Sequence, residues 1–236
     1  MANVLITGAN RGIGLALVRE FLKEGDTVIA TARNPDQANE LREAGGSADQ
    51  RLTVLPLDVA DAESVNSLAK QVANTQGSLD VLINNAGVFP EEGDEKLEEL
   101  NLAYFDTAFA INVTGTARVC QALLPMLRQG ENPRIVNMSS GAGSITDKVD
   151  SRHFCYSSSK AALNQFTRAL AAELKTEGIV VVPITPGWVK TDMGGSKAEL
   201  SAEESAVSLV RTIRKLGLKQ TGQFLDRHGR TGVYRW

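Results

Sequence analysis

Short runs of apolar, β-branched residues alternate with segments of helical periodicity throughout this chain. Such runs are typical of strands buried on both faces of a parallel sheet, and the helices between them fit its crossovers. The pattern predicts strands at 3–7, 26–32, 52–57, 79–84, 133–138, 179–185 and 222–226, and helices at 12–24, 61–76, 101–129, 156–177 and 201–216. The expected fold class is therefore α/β, with a Rossmann-like, doubly wound parallel seven-stranded sheet, helices on both faces, and a single domain over residues 1–236.

Composition narrows the classes of partner. The 236 residues are 42% hydrophobic, and 25 basic residues face 28 acidic ones, so neither a nucleic-acid-binding face nor an acidic tail is indicated. No apolar stretch is long enough to cross a membrane, and the first residues do not resemble a signal peptide. Two cysteines and two histidines predict neither a disulfide scaffold nor a metal site. We expect a cytoplasmic protein with no nucleic acid, membrane or metal partner.

The first strand-to-helix turn is rich in glycine. Strand 3–7 leads directly into Thr7-Gly8-Ala9-Asn10-Arg11-Gly12-Ile13-Gly14, and a helical segment follows. Glycine allows the backbone to turn tightly and approach a pyrophosphate, and the helix N-terminus offers it unpaired N–H groups. A tight turn that binds nothing is the plainer interpretation of a glycine-rich hexamer taken alone.

Several motifs in sequence order resemble one family. The spacing Gly8-x3-Gly12-x-Gly14 resembles the TGxxxGxG turn of the short-chain dehydrogenase/reductase family. The other matching segments are Leu57-Asp58-Val59, Asn84-Asn85-Ala86-Gly87, Asn112, Ser139-Ser140, Tyr156-x3-Lys160 and Pro186-Gly187-Trp188-Val189-Lys190-Thr191. The segments NMSS, PGWVKTDMGG and TGQFLD are similar to the subgroup of sniffer carbonyl reductases and C-factor proteins. The resemblance extends over nearly the whole chain.

A tyrosine and a lysine four residues apart form the predicted chemical centre. On a helix, Tyr156 and Lys160 project from one face, and a nearby ammonium together with an oxidised nicotinamide would draw the phenol pKa toward neutrality. Tyr156 is thus the predicted general acid/base. The resemblance implies that Lys160 also binds the nicotinamide ribose and that Asn112 kinks its helix and holds a water. Ser140 is the predicted oxyanion donor, with Ser139 as the alternative because the spacing to Tyr156 is longer than the family's.

The resemblance also implies a nicotinamide cofactor. The residues expected to bind it are Gly8, Asn10, Arg11, Gly12, Ile13, Gly14, Arg33, Asp58, Val59, Asn85, Ala86, Gly87, Tyr156, Lys160, Pro186, Gly187, Val189 and Thr191. Domains that select NADH place an acidic residue at the end of the second strand. Here Ala32 is followed by Arg33, with Arg11 in the glycine turn, so the expected cofactor is NADPH/NADP+.

Substrate selection is expected in loops near 88–99, 141–155 and 188–200. The predicted substrate pocket consists of Phe89, Ile145, Phe154, Trp188 and Met193, without a basic cluster to bind an acidic group. The expected activity is hydride transfer between NADPH and an uncharged, fairly apolar ketone or aldehyde, with reversible alcohol oxidation. The alternatives are a C-factor-like regulatory protein that binds NAD(P) and a 3-oxoacyl-carrier-protein-type reductase. The family also implies a homodimer through the helices at 101–129 and 156–177.

Overall fold

A sheet of parallel strands forms the centre of the protein. A computed structural model describes residues 1–46, 50–91, 93 and 95–236. In this part of the chain the strands are β1 (Asn3–Ile6), β2 (Thr27–Ala32), β3 (Leu52–Pro56), β4 (Val81–Asn84), β5 (Arg134–Met138), β6 (Val180–Thr185) and β7 (Leu225–Asp226). Their order in the sheet is β3-β2-β1-β4-β5-β6-β7, and every neighbouring pair is parallel. The doubly wound fold predicted from the sequence is confirmed.

Helices cover both faces of this sheet. They are α1 (Gly12–Lys23), α2 (Asn39–Glu43), α3 (Ala62–Thr75), α4 (Ala103–Phe109), α5 (Thr116–Leu127), α6 (Phe154–Leu174) and α7 (Ala202–Lys215). Side chains of β1 alternate between two cores: Val4 and Ile6 pack with α1 and α7, and Leu5 packs with α3, α5 and α6. All three are fully buried, as expected for a central parallel strand.

Two predicted elements differ from the structure. The single helix predicted over 101–129 is divided into α4, a π-helical segment (Ala110–Gly115) and α5. The strand predicted over 222–226 is reduced to β7, because its first residues form a turn in which the Gly222 amide donates to Val181. The short helix α2 was not predicted. Positions 92 and 94 of the predicted 88–99 loop lie outside the described residues.

Side-chain hydrogen bonds fix helix α6 on strand β5. The ammonium of Lys160 donates to the carbonyl oxygen of Met138 at 2.8 Å, and the next residue, Ser139, donates to Asn164 at 2.6 Å. One helical turn further, Asn137 donates to the hydroxyl of Thr167 at 2.9 Å. All these groups are buried, so each hydrogen bond replaces contacts with water that the fold has removed. The resulting register places the first turn of α6 at the carboxyl end of β5.

No helix among the described residues is long and apolar enough to cross a membrane. The same residues contain no group of three or more His, Cys, Asp or Glu side chains arranged to hold a metal ion. The strand order reverses between β1 and β4. Ligands of open α/β sheets bind at the carboxyl ends of the strands at such a reversal, so the carboxyl ends of β1 and β4 are the expected binding site.

Candidate active site

A cleft of about 520 Å³ opens where the strand order reverses. It begins at the glycine turn after β1, passes the segment after β4 and ends at the first turn of α6. The predicted cofactor-binding residues that line it are Gly8, Asn10, Arg11, Gly12, Ile13, Gly14, Arg33, Asp58, Val59, Asn85, Ala86, Gly87, Tyr156, Lys160, Pro186 and Thr191. Gly187 and Val189 belong to the same loop as Pro186 but are not part of the lining.

The glycine turn packs directly against the segment after β4. A Cβ atom on Gly14 would lie 2.4 Å from the carbonyl oxygen of Gly8, so a side chain there would require the turn to move. The hydroxyl of Thr7 accepts from the amides of Asn85 and Ala86, both at 3.0 Å. The Asn85 side chain donates to the carbonyls of Thr7 and Gly8 in return. These reciprocal bonds fix the shape of the cleft floor.

The N-terminus of α1 has no side-chain cap from the described residues of its own first turn. Its N-cap residue, Arg11, makes no side-chain cap hydrogen bond, and the first turn contains no acidic residue. Unpaired N–H groups and the positive end of the helix dipole therefore border the cleft, an arrangement that favours an anionic group. The turn fits the pyrophosphate of a dinucleotide.

Tyr156 lies at the inner end of the cleft. Burial raises the pKa of its phenol, a hydrogen bond with the Ser140 side chain acts in the opposite direction, and the Glu91 carboxylate raises the pKa further. At neutral pH the phenol is therefore protonated. The prediction that Lys160 and an oxidised nicotinamide together draw this pKa toward neutrality concerns the cofactor-bound protein and stays a prediction.

The two candidate serines have different partners. The Ser139 hydroxyl is 4% exposed and donates to Asn164, as described above. Ser139 lines the cleft, whereas Ser140 is not part of the lining. The bond to Asn164 directs the Ser139 hydroxyl into the interior. Ser140 is only half-buried, hydrogen-bonds Tyr156 and accepts from the Ala142 amide at 3.2 Å. The hydroxyl beside the phenol is that of Ser140.

Lys160 is buried next to the tyrosine. Its Nζ lies 5.7 Å from the centre of the Tyr156 ring, and the side chain is 6% exposed. Burial lowers the pKa of the ammonium to about 8. The bond to the Met138 carbonyl holds the ammonium at the end of β5.

Asn112 occupies the π-helical segment and is 1% exposed. Its amide oxygen accepts from the Val88 N–H at 2.8 Å, and its amide nitrogen donates to the Val88 carbonyl at 2.9 Å. The same nitrogen donates to the Ser159 hydroxyl at 3.0 Å. One amide thus joins the segment after β4 to α6, and a π-helical insertion of this kind is common at functional sites.

Glu91 was missed by the sequence analysis. Its carboxylate is 5% exposed and accepts from the backbone amides of Cys155 at 2.6 Å and of Tyr156 at 3.2 Å. Position 91 lies in an acidic stretch more than sixty residues before Tyr156. Nothing in the spacing singled it out from the other carboxylates of that stretch.

Of the predicted substrate-pocket residues, Met193 lines the cleft, and Phe89 contacts the phenol ring without being part of the lining. Phe89 packs edge-on against Tyr156, with 5.0 Å between ring centroids, and against His153 at 4.9 Å. Met193 lines the cleft and is 48% exposed. Apolar surface therefore lies next to the phenol.

The other three predicted pocket residues are not part of the cleft lining. Trp188 is exposed, and its indole N–H donates to the Gly194 carbonyl at 2.8 Å. Ile145 is also exposed. Phe154 packs against a small cluster that contains Leu100 and Cys155. The first turn of α6 directs Phe154 into this cluster while Tyr156, two residues later, faces the cleft.

The arginines predicted to bind a phosphate lie at the outer end of the cleft. Arg33 is exposed and lines it directly after the buried Ala32. Arg11 also lines it, but its guanidinium forms an ion pair with Asp192 of the 188–200 loop, with 70% and 76% of the two side chains exposed. Position 32 offers no carboxylate that would repel a phosphate.

Comparisons with known proteins agree with this geometry. A family model for short chain dehydrogenases matches residues 2–201. The carbonyl reductase Sniffer of D. melanogaster is 32% identical, with a TM-score of 0.94 over 100% of both chains. An NADPH-bound carbonyl reductase from chicken fatty liver is 32% identical, with a TM-score of 0.91 over 100% of this chain and 99% of that one. C-signal of Myxococcus xanthus is 41% identical over 153 residues, which are 65% of this chain and 91% of C-signal. The resemblance indicated by the motifs is confirmed.

We expect the contribution of Lys160 to stability to rise between pH 8 and pH 10. The pKa of its ammonium is about 8 in the folded chain, whereas an unfolded lysine titrates near pH 10.4. Between these values the unfolded chain binds a proton that the folded chain has released, so a rising pH favours folding. The unfolding free energy of the parent minus that of Lys160→Met should increase by about 2–3 kcal/mol from pH 7 to pH 10.

Urea unfolding at a series of pH values measures this difference. Lys70→Met, at an exposed position of α3, is the matched control and should differ from the parent by the same amount at every pH. A pH-independent difference for Lys160→Met would contradict the assigned burial effect.

Proposed function

Because this chain belongs to the short-chain dehydrogenase family, we propose that it is an NADPH-dependent carbonyl reductase. It transfers hydride between the nicotinamide and an uncharged, fairly apolar ketone or aldehyde, and it also catalyses the reverse oxidation of the alcohol. The observation that carries the proposal is the grouping of Ser140, a protonated Tyr156 and Lys160 at the inner end of a cleft whose outer end is an uncapped helix N-terminus. The direct test is NADPH oxidation with a panel of ketones and aldehydes.

Different residues of the cleft would bind different parts of the cofactor. When bound, NADPH supplies the hydride. The glycine turn and the N-terminus of α1 would hold the pyrophosphate, Asp58 and Val59 would hold the adenine end, and Lys160 would bind the nicotinamide ribose. The loop that contains Pro186 and Thr191 would hold the carboxamide. This assignment follows the family pattern and is supported by the presence of all these residues in the lining of one cleft.

Tyr156 supplies the proton of the reduction. Burial keeps its phenol protonated at neutral pH, which is the form that donates to a carbonyl oxygen. The Ser140 hydroxyl, which hydrogen-bonds the phenol, donates to the same oxygen and stabilises the negative charge that develops on it. Lys160, beside the Tyr156 ring, and Asn112, which is linked to the Tyr156 carbonyl through Ser159, complete the proposed catalytic set.

The neighbourhood of the phenol supports an apolar substrate. Phe89 packs against the ring of Tyr156, and Met193 adds hydrophobic surface to the cleft lining. The cationic residues of the described lining are Arg11, Arg33, Lys160 and Lys190. Of these, Lys160 lies beside the phenol, where it is buried and already bonded to the Met138 carbonyl. A neutral carbonyl compound therefore fits this end best.

A regulatory role is the second candidate. The similarity to C-signal favours it, since the matched segment spans most of that relative. The presence of Tyr156 and Lys160 in the cleft, with Ser140 hydrogen-bonded to the tyrosine, supports retention of catalysis beside any such role. A chain that binds NADPH but oxidises it with no carbonyl compound would favour the regulatory role over the reductase.

The homodimer stays a prediction. Four residues of α6 would allow its close packing against a second copy; of these, Leu163 and Ala171 are buried within this chain, whereas Ala169 is exposed and Ala161 is half-buried. Only the last two are thus open to a second copy. Sedimentation at micromolar concentration distinguishes a dimer from the 25.3 kDa monomer.

Replacement of Tyr156 by Phe should lower kcat by about 10²–10⁴-fold, because the ring remains while the proton donor is lost. NADPH affinity should change little. Steady-state kinetics and a fluorescence titration of NADPH measure the two effects. Tyr234→Phe is the matched control, and near-parental turnover of Tyr156→Phe would contradict the assignment.

Replacement of Ser140 by Ala should reduce kcat by about 10²–10³-fold with little loss of stability, since it removes an oxyanion donor. Replacement of Ser139 by Ala should instead lower the unfolding free energy by about 1–3 kcal/mol, because the buried Asn164 oxygen loses its donor. Kinetics and urea unfolding of both variants separate these effects. The reverse assignment of losses would show that Ser139 is the catalytic serine.

Replacement of Arg33 by Ala should reduce the preference for NADPH over NADH. Two charge-assisted contacts to a 2′-phosphate, at about 1.5–3 kcal/mol each, give the parent a preference on the order of a hundredfold or more. The measurement is kcat/KM for both cofactors, with Arg42→Ala of α2 as the control. Equal efficiencies in the parent, or a preference that Arg33→Ala leaves unchanged, would refute the assigned phosphate site.

A further inference from the structure

The first turn of α6 receives its cap from outside the helix. Its N-cap residue, His153, has a left-handed backbone (φ 58°) and makes no side-chain cap hydrogen bond. The Glu91 carboxylate takes over this role by accepting from the amides of Cys155 and Tyr156. A carboxylate at the N-terminus of a helix satisfies otherwise unpaired donors and interacts favourably with the helix dipole.

The segment that carries Glu91 is linked to α6 in two further ways. Val88 is bound to Asn112, which in turn donates to the Ser159 hydroxyl, and that hydroxyl donates to the Tyr156 carbonyl at 2.7 Å. Phe89 packs against the Tyr156 ring. The segment 88–91 therefore contacts the ring and the amide of Tyr156 directly and is linked to its carbonyl through Asn112 and Ser159, and Glu91 is its charged member.

Several other polar groups surround Tyr156. Ser140 approaches from the loop after β5 and Lys160 from the next turn of α6. His153 packs against Phe89, and Lys148 donates to the Ser157 hydroxyl at 3.4 Å from the side of the 141–153 loop. Glu95, from the acidic stretch, acts on the neighbouring Cys155. Among these groups, Glu91 is the buried carboxylate in direct contact with the tyrosine's own backbone.

We propose that Glu91 is a positioning residue for the reductase reaction: its carboxylate holds the first turn of α6, and its negative charge adds to the effect of burial in opposing ionisation of the Tyr156 phenol. The two effects have one origin. The negative charge that binds the backbone amide also opposes a second negative charge on the phenol of the same residue. The inference rests on the proposed function for its catalytic meaning, but the contact and the charge effect can be tested without turnover.

Glu91→Gln separates the charge from the hydrogen bonds, because the amide oxygen of Gln can still accept from both backbone N–H groups. We expect the midpoint of the Tyr156 titration to fall by about 0.5–1 pH unit in this variant. The chain contains three tyrosines, so the phenolate absorbance of each protein is measured against the same protein carrying Tyr156→Phe. Glu98→Gln, an exposed carboxylate of the same acidic stretch, is the matched control and should titrate like the parent. An unchanged or higher midpoint in Glu91→Gln would overturn the proposal.

The pH profile of kcat/KM for carbonyl reduction gives the second measurement. Reduction requires the protonated phenol, so its alkaline limb should move to lower pH in Glu91→Gln and stay in place in Glu98→Gln. If Glu91→Gln does not fold, Glu91→Asp decides the matter. Asp keeps the charge on a shorter side chain, so a lower kcat with an unchanged limb supports the proposal, and an unchanged kcat overturns it. A parent that reduces no carbonyl compound contradicts the proposed function, whereas the absorbance titration still decides the role of Glu91.

Discussion

The seating of helix α6 on strand β5 is the constraint on which the candidate site depends. Three consecutive residues at the end of β5, Asn137 to Ser139, each form a hydrogen bond with a different residue of α6. A shift of the helix by one turn would leave buried donors and acceptors unpaired, at about 1–3 kcal/mol for each group. These buried hydrogen bonds therefore fix the position of Tyr156 relative to the end of β5. The loops around the cleft add further contacts to the helix in this position.

Burial disfavours the charged form of both titratable groups at the inner end of the cleft, Tyr156 and Lys160. It raises the pKa of the Tyr156 phenol and lowers the pKa of the Lys160 ammonium, because a buried site disfavours either charge. The pair is thus not a preformed phenolate and ammonium. The tyrosine enters the reaction as an acid, which suits reduction of a carbonyl group, and the lysine holds its position through the Met138 carbonyl.

Local signals in the sequence predicted the features that depend on neighbouring residues. The spacing of Gly8, Gly12 and Gly14 indicated the turn. Asp61, the first residue of the helix predicted over 61–76, is the N-cap of α3 and accepts from the Glu63 amide at 3.0 Å. The β-branched runs predicted the strands because a strand buried on both faces consists of nearly continuous apolar residues. Glu91 and the π-helical segment were not predictable in this way. Each depends on a contact between distant parts of the chain, and Asn112 alone in its helix resembles an ordinary polar misfit.

The Arg11–Asp192 ion pair joins the glycine turn to the 188–200 loop across the mouth of the cleft, with both side chains largely in water. An ion pair so exposed contributes about 0–1 kcal/mol and is screened at physiological ionic strength. A phosphate beside Arg11 would compete with the Asp192 carboxylate, so the guanidinium would exchange one anion for another. Added salt therefore has two opposed effects at this point: it releases the loop from the turn, and it weakens the attraction of the arginine for the incoming anion.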